Sequence, residues 1–407
     1  SEKLKSLVPD SADVRIAIWT TTPWTIPSNL AVAVHGALEY CVATHPNVFN
    51  GAYFIVGRPL VSSLSAKLGL NTTEGEELSV TAVLTGEELI GTTYQHPLCD
   101  RVSQVVLGGD YINMESGTGL VHTAPGHGQE DYLTGLKYNL PLLSPVNDLG
   151  QFTAEAGERF CGKSVLKEGN EEVILALQEV GCLIKEEAYN HKYPYDWRTK
   201  KPTIFRATEQ WFASVNTFRE EAIKAIDGVQ WIPSIGRNRI TAMTQSRGDW
   251  CISRQRAWGV PIPVFYNIRD NMPLMTPETL AHIESVFAKH GSDAWWEFSV
   301  ADLLPAGPLR DSADEYTKGM DTMDVWFDSG TSWAGVLQES HSNKVQSEGA
   351  SESPSPLDMP ADMYLEGSDQ HRGWFQSSLL TSVAAQGVAP YKTVLTHGFV
   401  LDEKGYK

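Results

Sequence analysis

The stretch Asp362-Met363-Tyr364-Leu365-Glu366-Gly367-Ser368-Asp369-Gln370-His371-Arg372-Gly373-Trp374-Phe375 decides the fold class. Asp362 to Glu366 reads as a strand, and Gly367 to Gly373 as a polar loop. Trp374 to Ala385 carries a helix pattern, and Thr393 to Leu401 reads as another strand that ends at Asp402-Glu403-Lys404-Gly405. Strand, loop, helix and strand in this order fit a parallel sheet that binds ligands at the carboxyl ends of its strands. The loop chemistry suits that position. Glu366, Gly367, Asp369 and Gln370 supply acids, a bare backbone and an amide at a helix start, where ribose hydroxyls, an α-amino group and a phosphate can be held. The alternative, a charged loop capped by Asp369, fits this density of polar groups less well.

Moving upstream, Asp324-Val325-Trp326-Phe327-Asp328-Ser329-Gly330 sets two aromatics between two acids. They could line an apolar amino-acid pocket or simply be core, and the sequence does not separate the two. Gln338 to Leu357 is rich in Ser, Glu and Pro and is expected to be a flexible loop. Residues 267 to about 309 look like an insertion with its own helix. Trp211, Val215, Phe218, Ala222 and Ile226 recur at spacings of four, three, four and four, which predicts an amphipathic helix.

Before about Ile184 the texture is β-rich. Short runs at Val14–Trp19, Leu30–Val34, Tyr53–Val56, Leu78–Leu84 and Arg101–Leu107 read as strands between Gly, Pro and Asn breaks. One helix is predicted over Glu171–Val180, with Asn170 as N-cap and Gly181 past its end. Two constellations stand out. The turn Thr20-Thr21-Thr22-Pro23-Trp24-Thr25-Ile26-Pro27-Ser28-Asn29 gathers hydroxyls and an amide that could hold a polar substrate and a water. Taken alone, an ordinary Thr-capped turn is the better reading of it. The second, Gly117 to Tyr132, threads two imidazoles and two carboxylates through four glycines. His122 could orient a substrate there, and Asp131 could anchor a charged amine or position a water. His127, Glu130 and Asp131 form a weak metal signal. Glycines that let a ligand approach the backbone favour a functional site over structural histidines and an Asp131 cap.

The chain has 407 residues, so two or three domains are expected. No window of eighteen consecutive apolar residues occurs, and the opening Ser-Glu-Lys-Leu-Lys has no apolar core like that of a signal peptide. Five scattered cysteines without a C-x-x-C pair give no zinc site and no disulfide framework. Net charge is −18, yet His191 to Val260 holds twelve Lys/Arg against six Asp/Glu. A basic island in an acidic chain is what a localised phosphate-binding face looks like, and an unevenly charged surface would look the same.

Together the motifs resemble class I aminoacyl-tRNA synthetases of the isoleucine, valine and leucine group. Thr-Thr-Thr-Pro-Trp-Thr at 20–25, Val-His-Thr-Ala-Pro-Gly-His-Gly at 121–128, Trp-Cys-Ile-Ser-Arg-Gln-Arg-Ala-Trp-Gly-Val-Pro-Ile-Pro at 250–263, Asp-Val-Trp-Phe-Asp-Ser-Gly at 324–330 and Glu-Gly-Ser-Asp-Gln-His-Arg-Gly-Trp-Phe at 366–375 are similar to the isoleucyl-tRNA synthetase family in particular. Valyl and leucyl relatives usually carry Thr-Thr-Arg-Pro in the first motif, whereas Pro23 here follows Thr22. The remaining alternatives are a valyl-type synthetase and a non-catalytic tRNA-binding or editing paralogue.

The resemblance implies an α/β architecture: a β-rich editing domain inserted in a Rossmann-like class I catalytic domain, of which the second half is present. Residues 1–185 would be the editing (proofreading) domain and 186–407 the catalytic half, with a smaller insertion at about 267–315. Thr20, Thr21, Thr22 and Asn29 would hold the substrate's terminal adenosine, its ester and the hydrolytic water. His122 would wall the side-chain pocket, and Asp131 would bind the ammonium group. Glu366, Gly367, Asp369 and Gln370 would hold the aminoacyl-adenylate, Trp326 and Trp374 the isoleucine side chain, and His397 the nucleotide. Partners would be ATP with Mg2+, isoleucine and tRNA-Ile, with no metal site of the chain's own, no membrane and a monomeric state. The expected setting is cytoplasmic, or mitochondrial or chloroplast if a targeting peptide precedes. The His-x-Gly-His signature is absent, and Lys-Met-Ser-Lys-Ser would begin at Lys407, so an internal piece that cannot form adenylate by itself is expected.

Overall fold

The computed structural model describes residues 1–70, 74, 76–339 and 359–406. The Gln338–Leu357 loop and Lys407 singled out above lie wholly or largely outside the described residues. The structure is mixed α/β with several sheets, and by contacts it divides into Ser1–Thr208 and Glu209–Lys407.

The first unit holds two four-stranded sheets. Its strands are β1 (Val14–Ile16), β2 (Ala31–Val34), β3 (Glu39–Thr44), β4 (Tyr53–Gly57), β5 (Ser79–Thr85), β6 (Thr93–Gln95), β7 (Val102–Leu107) and β8 (Val121–Thr123). One sheet runs β1-β4-β3-β5 and the other β6-β7-β2-β8. Val32, Val34, Tyr40, Val42, Ile55, Leu84 and Val105 form one cluster that draws on both sheets. Strand alternation sends Cys41, Ala43, Phe54 and Val56 the other way, into a second cluster with Leu60, Val61 and Leu64. β3 is therefore buried on both faces, and it has no polar alternation by which the sequence could have announced it. β2 pairs parallel to β7 and antiparallel to β8, placing Val32 beside His122. This pairing ties the hydroxyl-rich turn that precedes β2 to the glycine-rich motif that begins with β8.

The predicted Glu171–Val180 helix is longer and starts earlier, at Glu168–Glu179. Asn170 is not its cap. It lies inside the first turn, and its Oδ1 accepts the Trp24 N–H at 3.0 Å. Gly181 ends the helix at φ +65°, where a Cβ would be strained.

In the second unit, strands Gln230–Ile232, Tyr391–His397 and Ala361–Gly367 lie side by side, all parallel, with Tyr391–His397 in the centre. Helices Arg219–Asp227, Ile235–Gln245 and Trp374–Gln386 pack with this sheet. The last strand stops at His397, short of the predicted Leu401. The helix predicted from Trp211 is also shorter. Phe212–Ala213 pairs antiparallel with Trp250–Cys251, so the chain is extended there and turns helical only at Arg219. Val215, Ala222 and Ile226 are nevertheless core residues, so the periodic pattern reported burial correctly and conformation only in part. The insertion has its own three-stranded sheet (Phe265–Asn267, Pro273–Leu274, Tyr316–Lys318), and its helix is Pro277–His290. Thr276 caps that helix, Pro277 opens it, and Gly291 ends it at φ +78°. Its core gathers Phe265, Ile283, Trp295, Leu303 and Leu304.

Phe375 is fully buried at the start of the Trp374–Gln386 helix, among Leu379, Tyr391 and Val394. Phe375→Ala should cost about 3–5 kcal/mol, read as a fall in the urea midpoint of the second unit. A change within about 0.5 kcal/mol, the range of ordinary surface substitutions, would mean that this helix is not packed as described.

Candidate functional site

In the first unit, Pro23–Ser28 forms a short 3-10 strap between the threonines and β2. Trp24 and Ile26 anchor it in a core with Phe152, Val173 and Leu177. Three imidazoles then pin its polar atoms. His122 receives the Asn29 amide N–H on Nδ1 at 2.8 Å, so its Nε2–H donates to Thr25 Oγ1 at 2.9 Å. The Thr25 hydroxyl passes the bond on to the Thr22 carbonyl at 2.9 Å. His127 donates Nδ1–H to the Phe205 carbonyl and accepts from Ser28 Oγ at 3.1 Å. His96 donates Nε2–H to the Ile26 carbonyl at 2.9 Å, while its Nδ1 accepts from the Leu98 N–H. Arg101 adds bonds to the Pro27 and Asn29 carbonyls.

Each ring is thus a neutral tautomer whose lone-pair nitrogen already holds a donor. Burial pushes all three pKa values below the ordinary histidine range, His122 down to about 3 with His96 and His127 adding to the effect. His127 has both nitrogens engaged, which removes it as a metal ligand. Among the described residues, no group of three or more His, Cys, Asp or Glu gathers as a metal site.

The strap presents Thr20, Thr21 and Thr22 at its outer end. Thr21 is exposed and the other two are partly so. Thr20 Oγ1 accepts the Thr22 N–H at 3.0 Å and lies 3.3 Å from Thr22 Oγ1. Asn29 is buried, and its amide is fully engaged by the Ala31 carbonyl, His122 Nδ1 and the Tyr94 hydroxyl. It is joined to the framework rather than open to a ligand.

Asp131 stands in the first turn of the Gln129–Lys137 helix and accepts the Ala124 N–H at 2.8 Å. Burial pushes its carboxyl up to about 6. The Ala124 bond works against that shift, and the Glu130 charge works with it. No lysine or arginine neutralises it among the described residues. Because its folded pKa is raised, this group favours the fold below about pH 4 and weighs against it as pH rises through about 6. Glycine makes the local chain path possible: a Cβ on Gly126 would lie 2.3 Å from the Leu143 carbonyl oxygen.

In the second unit, Glu366 and Gly367 end the edge strand of the parallel sheet, and Gly367 is in register with His397 on the central strand. Asp369 and Gln370 follow in a 3-10 turn, Ser368–Arg372. Gln370 Oε1 accepts the Trp374 N–H at 2.9 Å and so caps the next helix. Trp326 and Trp374 come together through neighbours. The Trp374 indole N–H reaches the Ser329 carbonyl at 3.1 Å and Ser332 Oγ at 3.2 Å, and its ring stacks on Tyr364 at 4.0 Å. Trp326 lies over Gly373, where a Cβ would approach its ring to 2.9 Å.

The sequence reading missed the residues that hold these elements. Asp324 is buried and pairs with Arg254 at 2.7 Å, takes the Trp250 indole N–H at 3.0 Å and caps the Val325–Gly330 helix. Thr25, Tyr94, His96 and Arg101 do comparable work around the strap. Thr25, Trp250, Arg254 and Asp324 lay inside motifs already quoted, but without these roles; Tyr94 and His96 lay in none.

Residues 15–407 match the family model described as tRNA synthetases class I (I, L, M and V), and the chain belongs to that family. Among curated relatives it is 60% identical over 402 residues to the isoleucine–tRNA ligase of Synechocystis sp., covering 98% of this chain and 39% of that protein. It is 60% identical to the isoleucine–tRNA ligase of Gloeothece citriformis, over 99% of this chain and 40% of that one. The chain therefore spans about two fifths of the length of these relatives. Among solved structures, the crystal structure of GlLeuRS-CP1 matches 46% of this chain and 90% of its own at 18% identity and a TM-score of 0.35, a likeness too low to bear on the fold.

The three imidazoles make acid stability measurable. Their lowered pKa values mean that stability is present above about pH 6.5, the ordinary histidine value, and is lost as pH falls from there toward about 3 for His122. The urea midpoint should fall over that window, and less steeply in His122→Gln than in wild type. Parallel slopes would remove His122 from this account.

Proposed function

We propose that this chain carries the proofreading region and part of the synthetic site of an isoleucine–tRNA ligase. The parent protein activates isoleucine with ATP and Mg2+, transfers it to tRNA-Ile and hydrolyses valine mistakenly attached to that tRNA. One methylene separates valine from isoleucine. Pocket binding discriminates such a difference by only about 1–3 kcal/mol, a value that this kind of enzyme itself supplied. A second, hydrolytic site is the chemical remedy.

The observation that carries the reading is Asp131, a half-buried carboxylate without a cation, set on the same buried framework as the exposed threonines. An aminoacyl ester brings an ammonium group that fits it. His122 spends both nitrogens on the framework, so it offers a substrate only carbon, a wall that measures size without offering a hydrogen bond. Asn29 acts as a positioning residue through His122. Thr20, Thr21 and Thr22 hold the terminal ribose and a water. The water adds to the ester carbonyl, the bond to the ribose oxygen breaks, and that oxygen takes the proton the water gave up. No nucleophilic side chain is needed when the water is held in place.

We assign proofreading to residues 1–185 and the synthetic half to 186–407, with the smaller insertion at about 267–315. The editing domain would be inserted in a Rossmann-like catalytic domain. Residues 186–208 nevertheless pack with the first unit. In the synthetic half, Glu366, Gly367, Asp369 and Gln370 receive the adenylate at the strand ends, with His397 beside Gly367 and the isoleucine side chain between Trp326 and Trp374.

The test is deacylation. The chain should release valine from Val-tRNA-Ile faster than isoleucine from Ile-tRNA-Ile, with a rate that falls as pH drops through about 6. Asp131→Ala should lower kcat/KM at least about thirtyfold, the cost of removing one member of a desolvated charge pair. Full activity in that variant would remove Asp131 from its role, and no release of valine by the wild-type chain would sink the proposal.

A further inference from the structure

Trp326 stands in the first turn of the Val325–Gly330 helix, and Trp374 opens the Trp374–Gln386 helix. The space between the two rings is therefore set by how these helices dock. A helix this short does not hold itself in water, and the last carbonyls of any helix lack partners within it. Two of them are taken by side chains of the longer helix. The Trp374 indole N–H donates to the Ser329 carbonyl at 3.1 Å, and the Thr381 hydroxyl donates to the Gly330 carbonyl at 2.6 Å. Thr381 Oγ1 also lies 3.0 Å and 3.2 Å from the Ser377 and Ser378 carbonyls of its own helix. A hydroxyl has one proton, and the contact across to Gly330 is the shortest of the three. The Trp333 indole N–H donates to the same oxygen at 3.1 Å. Thr381 is thus a clasp between helices, where a buried threonine would ordinarily bond back within its own.

The backbone beside the clasp has no room to spare. Gly330 is buried, and a Cβ there would lie 3.0 Å from the Cβ, carbonyl carbon and carbonyl oxygen of Ser377. One turn earlier along both chains, the Trp326 ring rests on Gly373. The two helices therefore meet at two rungs, with a glycine on one side of each. Close-packed elements move as stiff pieces, so a displacement at the Gly330 rung is carried to Trp326. The other end of the short helix is held by Asp324 through Arg254 and the Trp250 indole. Trp374 is fixed separately, its ring stacked on Tyr364 with 9° between the planes. Of the two rings, Trp326 is the one whose place depends on the clasp.

We propose that Thr381 and Gly330 are positioning residues that set the preference for isoleucine over valine, by fixing Trp326 against Trp374. The inference rests on the reading of those two rings as the isoleucine pocket. An apolar pocket registers a methylene only through contact with its walls, and a gap of about 0.5–1 Å forfeits about a quarter to a half of such a contact. Loosening the clasp would cost isoleucine the contact that valine never makes, so the preference would narrow. The reacting groups are held elsewhere, at the strand ends around Glu366 and Asp369. The effect therefore falls on binding and not on the chemical step.

The test is the exchange of pyrophosphate into ATP, driven by isoleucine or by valine, in the full-length protein that contains this chain. Thr381→Val keeps the shape and removes the hydroxyl, and Thr381→Ser keeps the hydroxyl. Thr381→Val should raise KM for isoleucine, leave kcat unchanged and lower the isoleucine-to-valine ratio of kcat/KM about tenfold, the low end of what enzymes of this kind show for one methylene. Thr381→Ser should retain the wild-type ratio. Gly330→Ala, which acts by crowding Ser377, should lower the ratio independently of the hydroxyl, so the two variants check each other if one folds poorly. Valine release from Val-tRNA-Ile belongs to the first unit and should stay at the wild-type rate in all three. An unchanged ratio in both Thr381→Val and Gly330→Ala, a fall in kcat shared equally by the two amino acids, or a Thr381→Ser variant as impaired as Thr381→Val would each overturn the inference. A wild-type protein that activates the two amino acids equally would defeat the pocket reading and the inference with it. Wild-type preference that neither variant moves would defeat the inference alone.

Discussion

Burying imidazole in the neutral form is the constraint on which the first unit depends. A strap that contains Pro23 and Pro27 gives up two backbone donors, cannot become a regular helix, and exposes carbonyls on its inner side. His96 and Arg101 donate to its carbonyls, and His122 and His127 hold its Thr25 and Ser28 hydroxyls. Each imidazole can do so only while one nitrogen donates and the other accepts. The arrangement has few variants. A lysine would bring a charge into the same space, and an amide of different shape would not span from β8 to the strap. The strap then holds the threonines outward and the Trp24 and Ile26 side chains inward. The position of any ligand at Thr20–Thr22 is set by hydrogen bonds made one layer below it.

The second unit uses a buried charge for the same purpose. Asp324 draws Arg254, the Trp250 indole and the first turn of the Val325–Gly330 helix to one carboxylate. Two stretches far apart in sequence, Trp250–Arg254 and Asp324–Gly330, are thereby fixed relative to each other, and Trp326 takes its place from them. A charge this buried is costly unless every oxygen finds a donor, and here both do. Loss of either partner would leave a carboxylate with nowhere to go, so this node is rigid.

Much of this was legible in the sequence, and the reasons differ from element to element. The parallel pair Ala361–Gly367 and Tyr391–His397 was readable because strand, polar loop and helix each carry their own composition. The motifs around Thr20, His122 and Asp131 were readable because glycine, proline and hydroxyl residues are dense there. β3 was not readable, since a strand covered on both faces loses alternation. The chain from Trp211 to Phe218 was misread because contact with two different partners can imitate a helical period. Asp324 was seen as an acid beside aromatics, and its pairing with Arg254, seventy residues away, leaves no local mark. Tyr94, His96 and Arg101 were invisible for the same reason: nothing near them in sequence says that they face a strap they are linked to only in space.

The contact between Gly373 and Trp326 has a consequence for how such a site can change over time. The ring rests against a backbone position that has no side chain, so its placement is set by a missing methyl group. A Cβ at Gly373 would come within 2.5 Å of Gln370 Oε1 and 2.9 Å of the indole, so a single substitution there would move both side chains. If Trp326 lines the isoleucine pocket as proposed, the pocket's shape is heritable through a glycine that lends it no side chain, and selection on what the pocket accepts would act there as well as on the tryptophan itself.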